Sequence, residues 1–338
     1  MTAPLVAIVV PVYNGALHLE ECLQSILDQT YVNWRAVVVN NCSSDKTDEI
    51  ADEFSRRDPR LHVVHCDEFV SKSENYNRSV AQAPGDAKYI KILEADNWIT
   101  PDCIERAVRL AEKHAKIGIV GSYWFFGRDV SSPSLNYRTQ VISGREVVRL
   151  LFLESVYLFG TPTTLLFRSN ALREEAIWFR PEVFYDDTDL CLRLLRRWDF
   201  GFVHQVLAFV REDETGAFSK FRHWDFAEAY MHFLLDVYGE DYFEGRELLD
   251  VRRKCERLYL NRLGLAAVTG RKKEYWDFHR DLYKVAGRRF RIGDLIIPIA
   301  RAVLDLGLNP KSSVEKLLRR WHRRRRPPSA PKYTKCLK

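Results

Sequence analysis

Short unbroken apolar runs alternate with helix-spaced apolar residues through the first hundred positions, and no other feature restricts the fold more. Leu5–Val12 is a continuous apolar run closed by Asn14-Gly15, the pattern of a buried strand entering a loop. Leu17, Leu19, Cys22, Leu23, Ile26 and Leu27 then recur at helical spacing. Trp34–Val39 predicts a second buried strand, and Ser43-Ser44-Asp45 supplies cap chemistry for a helix carrying Ile50, Ala51 and Phe54. Leu61–His65 reads as a third strand, followed by a helix near Glu74–Gln82, a break at Pro84-Gly85 and a strand at Tyr89–Leu93. Repeated β-α-β with buried strands predicts an α/β fold: a mostly parallel, Rossmann-like central sheet with helices on both faces.

Sheets of this kind bind ligands at the carboxyl ends of their strands. The segments that follow the strands are Tyr13-Asn14-Gly15, the run Asn40-Asn41-Cys42-Ser43-Ser44-Asp45, and Glu94-Ala95-Asp96-Asn97. All three are therefore expected in one crevice. Glu94 and Asp96, two apart after a buried strand, offer hard oxygen ligands suited to Mg²⁺ or Mn²⁺ on a diphosphate. Such an ion would neutralise charge on a departing nucleotide diphosphate. Taken alone, an acidic pair after a strand is a weak signal and is more often a surface turn.

Beyond residue 100 the reading is coarser. Residues 102–115 predict a helix and Ile117–Phe126 a strand. Helices at Ser143–Phe152 and Ser169–Glu175 flank the loop Gly160–Thr164, a candidate acceptor border or a plain helix-entry turn. Tyr185–Trp198 joins an acidic start to an amphipathic helix, and from about Ser219 the pattern is all-helical to about Leu318.

The net charge of +6 is unevenly placed. From Lys311 onward eleven Lys and Arg face Glu315 alone, a balance of +10 that leaves −4 on residues 1–310. The seven cysteines (22, 42, 66, 103, 191, 255, 336) are scattered and form no metal spacing, which reads as reduced thiols in a cytosolic protein. No stretch approaches the roughly 20 apolar residues that span a bilayer. A cytoplasmic protein is expected, peripheral on the cytoplasmic face of the membrane if the tail binds there.

The order of features carries a resemblance. Val9-Val-Pro-Val-Tyr-Asn14, the helix Leu19–Thr30 ending in Gln29-Thr30-Tyr31, and Val37–Thr47 come first. Asn77, Ala83-x-Gly85, Tyr89–Trp98 with Pro101-Asp102, and Tyr185-Asp-Asp-Thr-Asp-Leu190 before Arg193 follow. Over roughly residues 5–215 the chain resembles the family 2 glycosyltransferases, a GT-A fold group. The resemblance implies a GT-A domain at 1–218, with a nucleotide-sugar half at 1–100 and an acceptor half at 101–218. A helical region at 219–318 and a basic tail at 319–338 complete the expected organisation.

It also implies an inverting, metal-dependent transfer of sugar from a UDP-, GDP- or dTDP-sugar to a hydroxyl of a glycan or lipid-linked acceptor. Pro11, Tyr13 and Asn14 are expected at the base and ribose, Asn41 at the base, and Asn77, Glu94, Ala95 and Asp96 around the donor, with Asp96 on the metal. Asn41 stands where many relatives carry Asp, and Glu94-Ala95-Asp96-Asn97 departs from Asp-x-Asp-Asp. Asp187 is implied as catalytic base; without the resemblance, Asp186-Asp187 reads more readily as an acidic helix start complementing the dipole. Asp189 is the member of that run expected to be structural. Arg211 is a candidate diphosphate clamp, with Asp213–Ser219 as a loop closing over the donor, and the His often found near it is absent.

The tail has three readings: a solvated basic segment, a nucleic-acid contact, or attachment to an anionic membrane surface. Nucleic acid is disfavoured, because aromatic interleaving is limited to Trp321 and no recognised module accompanies the basic run. For the membrane reading, Leu295-Ile296-Ile297 through Ala302, Val303, Leu306 and Leu308 supply an apolar face. Two other functions compete with sugar transfer. A degenerate GT-A protein serving as a glycan-binding or scaffold module fits Asn41, Asn97 and the missing His. A nucleotidyltransferase would need a Gly-rich basic loop after the first strand, which Tyr13-Asn14-Gly15-Ala16 does not supply.

Overall fold

The computed structural model describes residues 3–131, 133, 135–183, 185–212, 226–285 and 288–308. The chain divides into two compact units, Met1–Arg222 with Leu234–Val251, and His223–Phe233 with Arg252–Lys338. The expected closing loop Asp213–Ser219 and the basic run from Lys311 lie outside the described residues.

Unit 1 is built on one sheet. Its strands are β1 (Val6–Val12), β2 (Trp34–Asn40), β3 (Leu61–His65), β4 (Tyr89–Ile92), β5 (Trp98–Ile99), β6 (Ile117–Phe126), β7 (Asp129–Ser131), β8 (Val141–Ile142), β9 (Leu166–Arg168) and β10 (Asp199–Val210). The order is β3-β2-β1-β4-β9-β6-β10-β5, with β7 on β6 and β8 on β10. β1 is buried along its whole length and pairs in parallel with β2 and β4, as an unbroken Val/Ile run requires. The helices α1 (Leu19–Leu27), α2 (Thr47–Arg57), α3 (Lys72–Ala81) and α4 (Cys103–Lys113) are the connections between these strands. Their inward residues, among them Leu23, Ile26, Phe54, Ile104 and Val108, join β1 and β2 in one apolar core. Each such side chain contributes roughly 1.5–3 kcal/mol when fully buried.

The sheet is more mixed than the helix–strand alternation predicts. β9 runs antiparallel to both β4 and β6 and inserts between them. At three residues it is too short to display a period in the sequence. β10 is parallel to β6 for most of its length and antiparallel to β5 and β8. Its pairing with β6 slips between Val203 and Val206, so His204 and Gln205 interrupt the apolar run and hide the strand.

Two helices also end differently. The expected Ser143–Phe152 helix is α5 (Gly144–Arg149), prolonged as a π-helical turn, Leu150–Glu154, and closed by Ser155 at φ 61°. After α6 (Ser169–Arg173), α7 (Asp186–Leu194) begins on the acidic run itself, so Asp186, Asp187 and Asp189 form its first turn.

The remaining helices are α8 (Phe226–Tyr242), α9 (Gly245–Val268), α10 (Lys273–Val285) and α11 (Ile296–Leu308). Unit 2 has its own core of Ala229, Tyr259, Leu263, Ala266, Tyr275, Tyr283 and Leu295, with Ile299 packed against it. Gly264 lets α11 seat closely on α9: a Cβ there would lie 2.5 Å from the Pro298 carbonyl carbon.

Candidate active site

The loops after β1 and β2 are tied into one rim. Asn14 holds a left-handed φ of 50°, a conformation Asn tolerates better than most side chains. Its backbone N–H donates to Ser43 Oγ at 2.8 Å, and its side-chain oxygen accepts the Ser44 N–H at 2.8 Å. Gly15 N–H donates to Thr47 Oγ1 at 2.9 Å and Ala16 N–H to Asp45 Oδ2 at 3.0 Å. Burial raises the Asp45 carboxyl, but the hydrogen bonds from Thr47 and Ala16 outweigh it and hold the group below its ordinary range.

Pro11 is buried in β1 opposite Val39, and Tyr13 follows at the rim, 51% exposed. Its ring centroid lies 4.8 Å from that of Phe69, itself 57% exposed. Two open rings at a strand end offer a face on which a flat base can stack.

The amides of Asn41 and Asn77 are both spent on backbone. Asn41 Nδ2 donates to the Val70 carbonyl at 2.8 Å, and its Oδ1 accepts the Val70 N–H at 3.0 Å. This fixes the chain next to Phe69. Asn77 clamps Phe179 in the same reciprocal way, at 2.6 and 2.8 Å.

At the end of β4 a buried lysine organises the next layer. Lys91 donates to the carbonyls of Thr163 and, at 3.2 Å, Leu165, and burial pushes its ammonium below the usual range. The short 3-10 turn Pro162–Thr164 is thereby drawn onto β4. Thr163 Oγ1 then lies 3.1 Å from each of Glu94 N, Glu94 Oε2 and Asn97 Nδ2. Glu94 Oε1 accepts the Tyr76 hydroxyl at 2.6 Å and lies 3.9 Å from Lys72 Nζ. Both carboxylate oxygens of Glu94 are thus engaged within the protein.

Ala95 is buried in the core beside it, and Asp96 is half-buried. Asn97 Oδ1 accepts the Arg211 N–H at 2.8 Å. Arg211 Nε donates to the Asp96 carbonyl at 2.9 Å, and its guanidinium pairs with Glu21.

The first turns of α3 and α7 meet this group. Ser71 and Glu74 form a capping box that starts α3 and places Lys72 and Ser73 in its first turn. Ser73 Oγ donates to Asp186 Oδ2 at 2.5 Å. Burial raises the Asp186 carboxyl, while Ser73 and Lys72 pull it back. Burial pushes Asp187 further, up to about 7, and the neighbouring Asp186 charge adds to the rise. Two adjacent carboxyls in a desolvated turn cannot both ionise cheaply.

Lys72 answers that charge. Partial loss of water around its ammonium disfavours the charge, although the side chain is 65% exposed, but Glu94, Asp186, Asp187 and Asp96 outweigh this and raise its pKa. Asp187 Oδ1 accepts the Thr188 N–H at 2.6 Å, and Thr188 Oγ1 lies 2.9 Å from the Tyr157 hydroxyl. Asp189 turns into the core, bonded to Arg193 Nε at 3.0 Å and to the Tyr238 hydroxyl.

Lys72, Ser73, Tyr76, Phe69 and Lys91 carry much of this arrangement and are absent from the sequence-derived set, while Thr163 lies in the loop Gly160–Thr164 that the sequence offered as an acceptor border. One signal was readable: Ser71-x-x-Glu74 announces a helix start that puts Lys72 and Ser73 in the first turn. The others depend on contacts between residues far apart in the chain.

Among the described residues no three His, Cys, Asp or Glu side chains gather into a metal-binding group. Asp96, half-buried at the same strand end, is the carboxylate that the resemblance puts on an ion. A single carboxylate suits Mg²⁺ or Mn²⁺, which keep water and phosphate oxygens in their shells.

The family model described as glycosyl transferase family 2 matches residues 7–175. TuaG of Bacillus subtilis, named as a candidate teichuronic acid biosynthesis glycosyltransferase, is 31% identical over 103 residues, 30% of this chain and 40% of that one. The chain thus spans well under two thirds of that relative. Among solved structures, S. aureus TarS 1-349 in complex with UDP-GlcNAc is similar in fold, with a TM-score of 0.64 at 16% identity, covering 84% of this chain and 81% of that one. The mannosyltransferase PcManGT of Pyrobaculum calidifontis, in complex with GDP-Man and Mn²⁺, gives a TM-score of 0.55 at 17% identity, covering 90% and 81%.

Proposed function

Because the chain belongs to glycosyl transferase family 2, we propose that it moves a sugar from a nucleotide diphosphate sugar to a hydroxyl of a glycan or lipid-linked acceptor. The observation that carries this reading is the meeting of α3, α7 and the end of β4: Ser73 is bonded to Asp186 in the first turn of α7, and Lys72 lies 3.9 Å from Glu94, which also accepts the Tyr76 hydroxyl. It supplies a base, a counter-charge and an ion ligand in one place.

In this reading Asp187 takes the proton from the acceptor hydroxyl as its oxygen attacks the anomeric carbon. A single displacement inverts that centre. A carboxyl pushed up to about 7 is matched to this task, since it is basic enough to accept a proton near neutral pH. Asp186, held by Ser73, keeps the pair asymmetric. Lys72 and Arg211 lie at the donor side and meet the diphosphate charge. Asp96 would hold Mg²⁺ or Mn²⁺, which supplies charge neutralisation to the departing nucleotide diphosphate. Glu94 acts by orienting, through Tyr76, Thr163 and Asn97.

Tyr13 and Phe69 flank the base of a UDP-, GDP- or dTDP-sugar. Asn14 shapes their rim, and Asn41 affects base choice through Val70, to which its amide is bonded. Asn77 supports the site through Phe179. Residues 1–100 serve the donor and 101–218 the acceptor, with 219–318 as a helical appendage and 319–338 as a basic tail. The candidate assignment of TuaG to teichuronic acid synthesis supports a role in cell-surface polysaccharide or glycoconjugate synthesis. Lipid-linked acceptors place such an enzyme on the cytoplasmic face of an anionic membrane, reached through the basic tail. No described helix is long and apolar enough to cross a membrane.

A thermal-shift series of UDP, GDP and dTDP with and without Mn²⁺, followed by donor hydrolysis, tests the reading. Stabilisation by one nucleotide diphosphate that grows with the ion is expected. Absence of both stabilisation and hydrolysis across the series would sink it.

A further inference from the structure

Helix α11 is apolar on the side it buries and on the side it leaves open. Leu295 and Pro298 are buried and Ile299 packs on the unit 2 core, so one face is seated. At about 100° per residue, Ile296, Ala300, Val303, Leu304 and Gly307 fall on the opposite face, with Ile297 and Leu308 at its edge. Ile292, Ile296, Ile297, Val303, Leu304 and Leu308 are between 53% and 79% exposed. They are six of the sixteen exposed large apolar side chains among the described residues, gathered in seventeen positions. Scattered exposed apolar residues are normal, but a contiguous apolar face of this kind marks an interaction surface.

The chain that follows identifies the partner. The described part of α11 runs to Leu308, and from Lys311 the sequence carries a balance of +10, with six Arg between 319 and 326. An apolar helix face joined to a basic run matches the boundary of an anionic bilayer, where acyl chains lie beneath negative headgroups. A second copy of the chain would bring two like-charged tails together, and a nucleic acid would leave the apolar face without a role.

We propose that the outward face of α11 is a membrane-insertion surface: the helix lies in the interfacial plane of an anionic bilayer, with Ile296, Val303, Leu304 and Leu308 immersed. Its thirteen described residues are fewer than the roughly 20 needed to span a bilayer. This rests on the membrane reading above and deepens it, naming the residues that enter the lipid; it is independent of the catalytic assignments.

The test is vesicle flotation of the full chain with phosphatidylcholine alone and with added phosphatidylglycerol. Recovery with the anionic vesicles is expected, and the double substitution Ile296→Glu with Leu304→Glu should lower binding at least tenfold while the helical circular dichroism is kept. Leu304→Cys labelled with an environment-sensitive dye supplies a second measurement that does not depend on the charged variant folding. A blue shift on binding, quenched by spin-labelled acyl chains, is expected. Unaltered flotation of the double variant, or a dye that stays in water on bound protein, would overturn the proposal. So would a wild-type dimer that the double substitution dissociates without loss of flotation, since the face would then belong to a second copy. Nucleotide stabilisation and donor hydrolysis measured without vesicles separate the two readings: absence of both rejects the sugar-transfer reading and leaves the insertion result standing.

Discussion

The Tyr76 hydroxyl donates to Glu94 Oε1 at 2.6 Å, joining α3 to the end of β4 across the centre of the candidate site. Burial, followed by the Glu94 charge, pushes the phenol well above its usual range, so Tyr76 remains a donor at any working pH. Glu94, with its other oxygen on Asn97 and Thr163, is a joint in the framework that sets Asp96.

Removing that hydroxyl should therefore loosen the site while the fold persists. Tyr76→Phe is expected to lower donor hydrolysis about tenfold and to cost about 1.5–3 kcal/mol of stability, the range for a hydrogen bond to a charged group. Urea denaturation and hydrolysis rates measured on the same preparation check both. An unchanged rate would detach Glu94 orientation from catalysis.

Asp187→Asn should abolish most acceptor transfer, by about 10²–10⁴-fold, while nucleotide diphosphate binding stays within a few-fold of wild type. The pH dependence has a defined sign. Because the folded-state carboxyl is raised, its contribution to stability is present below the unfolded value near 4 and is lost as pH rises through about 7. Transfer by the wild type should rise across that same interval, as the base becomes charged. At pH 8 the Asn variant is expected to melt higher than the wild type, with about 2–4 °C for each kcal/mol recovered.

Asp96→Ala tests the ion ligand separately. It should remove the part of nucleotide diphosphate stabilisation that depends on Mn²⁺, and leave the metal-free part in place. Titration calorimetry with and without the ion distinguishes the two. Equal ion dependence in both proteins would move the metal off Asp96.

Lys91→Met probes the buried clamp under the site. The Thr163 and Leu165 carbonyls lose their donor, and each unpaired buried acceptor costs about 1–3 kcal/mol. The expected pattern is a lower melting temperature together with a raised KM for the donor, because Thr163 no longer holds Glu94 and Asn97 in register. A variant with full donor affinity would show that the turn is held without Lys91.

Tyr13→Ala and Phe69→Ala should each weaken nucleotide binding by about 1–3 kcal/mol, the range for loss of a stacking ring. Their effects should combine less than additively, since the two rings touch. Affinities of the single and double variants for the nucleotide diphosphate measure this.

Local pattern alone determined the first half of the fold. The apolar runs at β1, β2, β3 and β4 could only be buried strands, and the helix-spaced stretches between them could only be crossovers, so the three loops had to share one edge. The capping box at Ser71 and Glu74 was equally local. Tertiary structure decided the rest, because those features depend on contacts across long sequence separations. β9 is three residues long and is defined by its neighbours β4 and β6; β10 is interrupted by His204 and Gln205 and becomes a strand only against β6. Asn41 and Asn77 looked like ligand-facing amides in the sequence, yet each closes on a backbone segment that the sequence cannot place beside it. Lys72 was one lysine among many until α7 brought Asp186 and Asp187 to the carboxylates after β4. A charge acquires its chemistry from what surrounds it in a low-dielectric site, and only the folded chain assembles those surroundings.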